Sequence, residues 1–209
     1  MDPRFRGGDE RKEARRGFGL TIIAGIALLL LAVAARAETL TAGDVLRGRF
    51  VQERHMQGFA KPIRSEGSFV VAPGRGLIWR AETPFAVTTV VTPAGLVQSV
   101  NGAETTRLAA ARLPFLTRLY DMMAGALAGD WRALEGGFAV TRTGDRVALA
   151  PRKADDATAA QIAGITVRLG RFVEQVEITK PNGDMDRLTF TDQVLNAAPL
   201  DAAETAMLK

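Results

Sequence analysis

The chain has 209 residues, enough for one domain with a sizeable core, and 47% of them are hydrophobic. It carries 27 Lys and Arg against 23 Asp and Glu, one histidine and no cysteine. Without cysteine, no disulfide can stabilise the fold. With a single histidine, a zinc or copper site has almost no ligands available. Composition therefore favours a domain stabilised by its own core and argues against a transition-metal site.

The first 37 residues have the organisation of a secretory signal peptide. Basic residues at 11–16 precede the apolar run TIIAGIALLLLAVAA, and Ala35-Arg36-Ala37 is a small-x-small cleavage site. The alternative is a transmembrane anchor, but the apolar core is short for a bilayer span of about 20 residues. We expect cleavage after Ala37, which leaves residues 38–209 as one domain in the periplasm.

Removing residues 1–37 changes the charge balance. That segment holds seven of the basic and four of the acidic residues, which leaves 20 basic against 19 acidic ones. Such a nearly neutral chain offers no basic stripe for nucleic acid. No cysteine follows the cleavage site to accept a lipid, so the mature protein is not expected to be a lipoprotein itself. We expect a soluble monomer.

The first half of this domain has mostly the period of a β-sheet. Residues 41–46 are compatible with a short helix, with Thr41 as its cap. Turns that contain glycine or proline then separate five predicted strands, at residues 50–56, 68–71, 77–81, 86–91 and 96–100.

The period then changes from that of a strand to that of a helix. Residues 104–128 are rich in Ala and Leu with 3.6-type spacing, and Pro114 divides them into two predicted helices. Residues 153–163 predict a loop or a brief helix. Strand patterns return at residues 137–141, 146–150, 164–169, 171–179 and 186–192, and residues 181–184 predict a hairpin loop. This order indicates one α+β domain.

The sequence offers little for catalysis. An enzyme needs an acid, base, nucleophile or metal with suitable partners. His55 is expected to be an ordinary exposed histidine, and Asp184 and Asp186 lie in a loop where solvated carboxylates are normal. Gly74-Arg75-Gly76 is followed by a strand, so it is not a phosphate-binding loop. We expect a protein that is not an enzyme and has no cofactor or metal.

Several predicted strands are apolar on both faces, which a half-solvated sheet does not require. Phe69 and Val71 share one face of their strand, and Leu77 and Trp79 share one face of the next. Two architectures fit this pattern. One is a sheet between a core and the helical insert. The other is a curled sheet whose concave face is closed by the helices as a lid over a lipid-sized cavity.

A sequence motif favours the second architecture. Its elements are Phe50-Val51-Gln52, the segment SEGSF at 65–69, Ala72-Pro73, the segment LIWR at 77–80 and Pro84-Phe85. Their order and spacing resemble the periplasmic lipoprotein carrier LolA. Looser similarity extends through the helical insert to the final hairpin and so covers nearly the whole domain.

The resemblance implies a strongly curved antiparallel half-barrel with helices covering an apolar concave cavity. It also implies a carrier that shields the acyl chains of a lipoprotein or related envelope lipid between an inner-membrane release complex and an outer-membrane acceptor. The candidate lipid-binding residues are Phe50, Phe69, Val71, Leu77, Trp79, Val90, Leu96, Phe115, Leu119, Met122 and Met123. Where LolA has an arginine that holds the lid, this chain has Ala72, and Arg75 in the same turn is a candidate substitute.

Two other functions remain open from the sequence. One is a non-enzymatic sensor or scaffold domain that binds a protein partner with the same half-barrel. The other, which the missing catalytic groups disfavour, is an enzyme that acts on lipids.

Overall fold

The computed structural model describes residues 40–110, 138–152 and 162–209, which form eleven strands and one short helix, α1 (Ala202–Met207). The strands are β1 (Leu46–His55), β2 (Ile63–Ala72), β3 (Gly76–Thr83), β4 (Val87–Thr92), β5 (Gly95–Val100), β6 (Ala103–Ala109), β7 (Phe138–Thr143), β8 (Arg146–Pro151), β9 (Gly164–Leu169), β10 (Val173–Thr179) and β11 (Met185–Leu195). The predicted signal peptide and residues 111–128 of the predicted helices lie outside the described residues.

All eleven strands belong to one antiparallel sheet, in the order β6-β5-β4-β3-β2-β1-β11-β10-β9-β8-β7. Strands β1 to β6 pair in sequence, and so do β7 to β11. Pairing of β1 with β11 joins these two halves and places Phe50 opposite Phe190. The first and last strands of the chain are therefore central in the sheet.

The ten strands predicted from the sequence are confirmed, and β9 has the predicted bounds. The hairpin at residues 181–184 is also confirmed, because Gly183 donates its backbone N–H to the carbonyl of Lys180 between β10 and β11. Alternation of residue type with a period of two identified these strands, because successive side chains of a strand point to opposite faces of the sheet.

The helix predicted from residue 104 is wrong over residues 104–109, which belong to β6. Half-buried Thr106 and Leu108 alternate there with exposed Thr105 and Arg107. Leu108 pairs with Leu96 of β5. Hydrogen bonding to β5 therefore outweighs the local helix propensity of this Ala- and Leu-containing segment.

The short helix predicted at residues 41–46 is also wrong. Gly43 has a φ of 100°, and the Asp44 backbone N–H donates to the carbonyl of Thr41 at 3.0 Å. The Asp44 carboxylate accepts from the Thr41 backbone N–H at 2.6 Å. These contacts form a turn, and Leu46 already begins β1.

The inner face of the sheet, defined by Phe50, Phe69 and Trp79, carries one large hydrophobic cluster. The cluster extends from Leu96 in β5 to Phe138 in β7, which lie towards opposite edges of the sheet. The sheet is open and curled, so a single core lies against its inner face.

The outer face carries a smaller cluster that contacts the end of the chain. Val70, Ile78 and Val90 pack there with Leu208, the residue that follows α1. The sequence analysis did not predict α1. Its signal was the Asp-x-x-Glu pattern of Asp201 and Glu204, which form a reciprocal capping box at the start of the helix.

An ion pair anchors α1 to the sheet. Both oxygens of the Glu204 carboxylate accept hydrogen bonds from Arg47 of β1, at 3.3 and 2.6 Å. Arg47 also donates to the carbonyls of Ala198 and Pro199. Glu204 is only 5% exposed, so this pairing compensates for the burial of its charge.

No helix in the described parts of the chain is long and apolar enough to span a bilayer.

Replacing Glu204 with Gln should lower the free energy of unfolding by about 1.5–3 kcal/mol at pH 7, the usual contribution of hydrogen bonds to charged groups. The hydrogen bonds from Arg47 hold the pKa of Glu204 below its ordinary value of 4.5. A depressed carboxylate pKa contributes stability above pH 4.5 that is lost as the pH falls through the folded-state pKa. In urea denaturation, the wild type and E204Q should therefore converge in stability on acidification.

Glu104→Gln is the matched control. Glu104 pairs with Arg107 at the surface of β6, where the side chains are 45% and 66% exposed. Exposed pairs contribute little to stability. An equal loss of stability in E104Q and E204Q would show that the anchoring of α1 does not depend on the buried ion pair.

Candidate functional site

Four aromatic side chains form the centre of the inner face, on the adjacent strands β3, β2, β1 and β11. Phe50 stacks on Trp79 with ring centroids 3.7 Å apart and an interplanar angle of 24°. Phe190 meets Phe69 and Trp79 edge-on, at 5.7 and 6.2 Å. Aromatic rings prefer edge-on contacts such as those of Phe190. All four are buried, so they make this part of the inner face rigid and apolar.

Close packing around the aromatic cluster requires glycine at two positions. Gly48 of β1 lies opposite Phe69, and Gly67 of β2 lies opposite Phe50. A Cβ atom on Gly48 would lie 2.6 Å from the Phe69 ring, and one on Gly67 would collide with the carbonyl oxygen of Arg80. Gly48 is therefore required by the Phe69 ring, whereas Gly67 is required by the close approach of the β3 backbone at Arg80.

Replacing Gly48 with Ala should lower the free energy of unfolding by about 1–3 kcal/mol, because overpacking forces buried groups to shift. Gly164→Ala in β9 is the control, since a Cβ there meets only Leu149 O at an ordinary 3.8 Å. Thermal unfolding should show a lower Tm for G48A and an unchanged or slightly higher one for G164A. Equal Tm values would contradict the packing described here.

The structure brings together six of the predicted lipid-binding residues in the inner-face cluster: Phe50, Phe69, Val71, Leu77, Trp79 and Leu96. It places Val90 on the outer face, with Ile78 and Leu208. Phe115, Leu119, Met122 and Met123 lie outside the described residues. Arg75 is exposed in the β2–β3 turn, and Ala72 before it faces the outer cluster.

A groove opens from the inner face at the end of the strands where β1 finishes and β2 begins. Its lining is mainly apolar, and Trp79 connects it to the aromatic cluster. The residues that line it are Gln52, Arg54, Ile63, Ser65, Trp79, Ala81, Thr83, Pro84, Phe85 and Val87. Apart from Trp79, none of these was a predicted site residue. Pro84 and Phe85 lie in the β3–β4 turn, where alternation gives no information about facing. The others lie in strands, and several of them are polar or small, so an apolar pattern does not select them.

The groove is small in this state. Its open space is about 40 Å³, whereas one water molecule needs about 10–15 Å³ of such space. A long acyl chain therefore requires side chains at the groove to move apart. The side chain of Phe85 is 67% exposed and that of Ile63 is 43% exposed, so both can move without opening the core.

The groove has a polar wall formed by Gln52, Arg54 and Ser65. A buried carboxylate lies beside this wall. Asp186 of β11 is 1% exposed and accepts a hydrogen bond at 2.8 Å from the Arg54 Nε. The Lys180 Nζ lies 3.0 Å from its other carboxylate oxygen. The expectation of a solvated Asp186 was wrong, because Asp186 faces the same side of β11 as Leu188 and Phe190 and meets two cations there.

Asp186→Asn should lower the free energy of unfolding by about 3 kcal/mol, because removing one member of a buried ion pair leaves its partner charges uncompensated. Asp192→Asn is the control on the same strand, since Asp192 is exposed and its φ of 52° suits asparagine as well. In urea denaturation, D186N should unfold at a lower urea concentration than D192N. A D186N protein as stable as D192N would refute this role of Asp186.

Nothing in the described residues forms a metal centre, since no three His, Asp or Glu side chains there are close enough to hold an ion. The His55 side chain is 38% exposed, and its Nε2 lies 4.0 Å from the Glu53 carboxylate. The arrangement offers an apolar surface with a polar wall, which suits binding of an amphipathic molecule.

A comparison with protein families gives a match over residues 31–208 to the family described as "Outer membrane lipoprotein carrier protein LolA-like". The chain belongs to this LolA-like family. This confirms the resemblance seen in the motif from Phe50 to Phe85. A comparison with curated proteins gives no match.

Solved structures with low identity also match. A chain in the Pseudomonas aeruginosa MucA/MucB complex matches with 19% identity and a TM-score of 0.41, over 88% of this chain and 61% of that one. The LolA superfamily protein NE2245 from Nitrosomonas europaea matches with 10% identity and a TM-score of 0.38, over 88% and 96%. A putative outer membrane lipoprotein-sorting protein domain from Vibrio parahaemolyticus matches with 10% identity and a TM-score of 0.35, over 83% and 94%. The present chain thus spans about three fifths of the matched MucA/MucB chain.

Proposed function

We propose that this LolA-like protein is a periplasmic carrier that shields the acyl chains of a lipoprotein or related envelope lipid between the inner and outer membranes. The observation that carries the proposal is the apolar groove that opens over Trp79 at the end of the curled sheet. Membership of the LolA-like family and the predicted signal peptide agree with it. The proposal involves binding and release without chemical conversion of the ligand.

The energetics of such a carrier follow from the lining. Each acyl methylene removed from water contributes about 0.8 kcal/mol. Chain entry has to displace the side chains at the groove, and this cost offsets part of the gain. A carrier with a small resting groove therefore binds its ligand less tightly than one with an open cavity. Weaker binding favours release to an acceptor.

The polar wall of the groove gives the ligand an orientation. Gln52, Arg54 and Ser65 lie on this wall, while Ala81 and Val87 provide apolar contacts. An amphipathic lipid can place its acyl chain against Trp79 and its polar group towards Arg54. Such a division between an apolar lining and a few polar groups is typical of ligand sites.

The test is to fill the groove. Ala81→Leu adds a larger side chain to its lining, whereas Ala148→Leu makes the same change at an exposed position of β8. Protein purified from envelope extracts without detergent is analysed by native mass spectrometry. We expect bound lipid or acylated peptide on the wild type and A148L, and at least a several-fold smaller bound fraction on A81L. Consistently empty wild-type protein would refute the carrier function.

A second candidate is a sensor or scaffold domain that binds a protein partner. The filled inner face favours it, because Phe50, Phe69 and Leu77 are at most 1% exposed and the groove is small. This candidate predicts a specific partner in cross-linked pull-downs and no stoichiometric lipid in the mass spectra. The same native mass spectrometry therefore distinguishes the two functions.

A further inference from the structure

Large apolar side chains are exposed at the groove. Phe59 and Phe85 are each 67% exposed and Ile63 is 43% exposed. These three residues, called the apolar rim below, lie on the β1–β2 loop, the β3–β4 turn and the first position of β2. Antiparallel pairing of β1, β2 and β3 places all three at the same end of the strands. Ile63 and Phe85 also line the groove.

The loop that carries Phe59 is held in place. The Phe59 backbone N–H donates to the carbonyl of Met56 at 3.2 Å, and Gly58 between them has a φ of 83°. The Gln57 backbone N–H donates to the Asp184 carboxylate at 3.0 Å. This bond ties the loop to the β10–β11 hairpin. Phe59 is therefore presented to solvent by a defined turn.

The same loop and the start of β2 are basic. Residues 56–64 contain Lys61 and Arg64 and no acidic residue. Arg64 also pairs with Glu66 of β2 at 3.0 Å, where the side chains are 58% and 39% exposed. Lys61 is exposed beside Phe59. Asp184, the nearby carboxylate on the hairpin, accepts hydrogen bonds from Gln57 and Asn182.

We propose that the apolar rim docks this protein on the surface of an anionic lipid bilayer, with Phe59 and Phe85 inserted among the headgroups and Lys61 and Arg64 near lipid phosphates. Aromatic side chains with basic neighbours are typical of segments that lie in the membrane interface. Separate protruding side chains on two loops suit a fluid surface. A protein partner more often meets a contiguous apolar patch with polar edges.

Docking at this rim would bring the groove to the lipid. Because Ile63 and Phe85 belong to both, insertion of the rim moves the side chains that limit access to Trp79. A lipid could then pass from the bilayer to the groove without crossing water. This inference goes beyond the carrier function, since a protein can bind the membrane here whether or not the groove holds lipid.

The test measures flotation of the protein with vesicles. The chain is recovered after export from a bacterial host, and its N-terminus is determined by mass spectrometry. The vesicles are phosphatidylethanolamine with phosphatidylglycerol, phosphatidylcholine alone, or native bacterial membranes that contain protein. We compare the wild type with F59S/F85S, with K61Q/R64Q and with the control V194T/M207Q. Val194 and Met207 are also exposed apolar residues, 50% and 42%, but lie towards the opposite end of the strands.

We expect the wild type and the control to bind anionic vesicles equally. F59S/F85S should bind at least about tenfold more weakly, because insertion of two aromatic side chains is lost. The affinity of K61Q/R64Q for anionic vesicles should fall roughly fivefold for each charge removed. This variant should also lose the preference for vesicles that contain phosphatidylglycerol. All variants carry the same N-terminus, so these differences report on the rim alone.

Three outcomes would overturn the docking proposal. These are no binding of the wild type to either vesicle, equal binding of F59S/F85S, or binding only to native membranes that contain protein. The last would point to a protein partner. Binding of a soluble fluorescent fatty acid is measured in parallel and tests the groove without a bilayer. In K61Q/R64Q, which changes no residue that lines the groove, loss of docking with retained fatty-acid binding would leave the carrier function intact. F59S/F85S is left out of this comparison because Phe85 lines the groove.

Discussion

The stacking of Phe50 on Trp79 is the contact on which the inner face depends. Phe50 lies on β1 and Trp79 on β3, so the two rings meet across the intervening β2. Gly67, which faces Phe50 from β2, contributes no side chain. Phe190 then packs edge-on from β11 on the other side of β1. Four strands from the two halves of the sheet are thus fixed to one aromatic centre, and the groove begins where that centre ends.

The transition from core to groove follows a change along the strands from apolar to polar residues. On β1, buried Phe50 is followed on the same face by Gln52 and then by Arg54, which pairs with Asp186. The inner face therefore ends in a charged cluster. For the proposed carrier, the small open volume means that an acyl chain would have to create part of its own space. Ile63 and Phe85, which line the groove and are exposed, are free to provide that space.

Local pattern was enough to predict much of this architecture. Alternation placed Phe69 with Val71 on one face of their strand and Leu77 with Trp79 on one face of the next, because successive side chains of a strand point to opposite sides. The same pattern could not tell which face of β4 was inner, so Val90 was grouped with them although it packs on the outer face. The facing of β4 is set by its register with β3, which is a tertiary property.

Other features could not be predicted from the local sequence because they depend on partners that are distant in the chain. Residues 104–109 have helix-compatible composition, but β5 provides hydrogen bonds that the local sequence does not encode. Asp186 had the appearance of a loop carboxylate until β1 supplied Arg54 from 132 residues earlier. The exception is α1, whose capping box was visible in the sequence at Asp201 and Glu204. The groove is lined mainly by strand residues such as Gln52, Ser65 and Ala81, which continue the alternation of the inner face but were not recognised because their side chains are polar or small.

The pairing of β1 with β11 has a consequence for how the molecule acquires its shape. A chain emerges from synthesis with its N-terminal part first, so β1 is made well before β11, its neighbour at the centre of the sheet. Contacts of such large sequence separation are slow to form, because loop-closure entropy is lost before they contribute. Until then, the aromatic centre lacks Phe190 and the apolar face of the first half is uncovered. Closure of the sheet is therefore a late step in folding, and the unfinished chain is most in need of protection from aggregation just before β11 arrives.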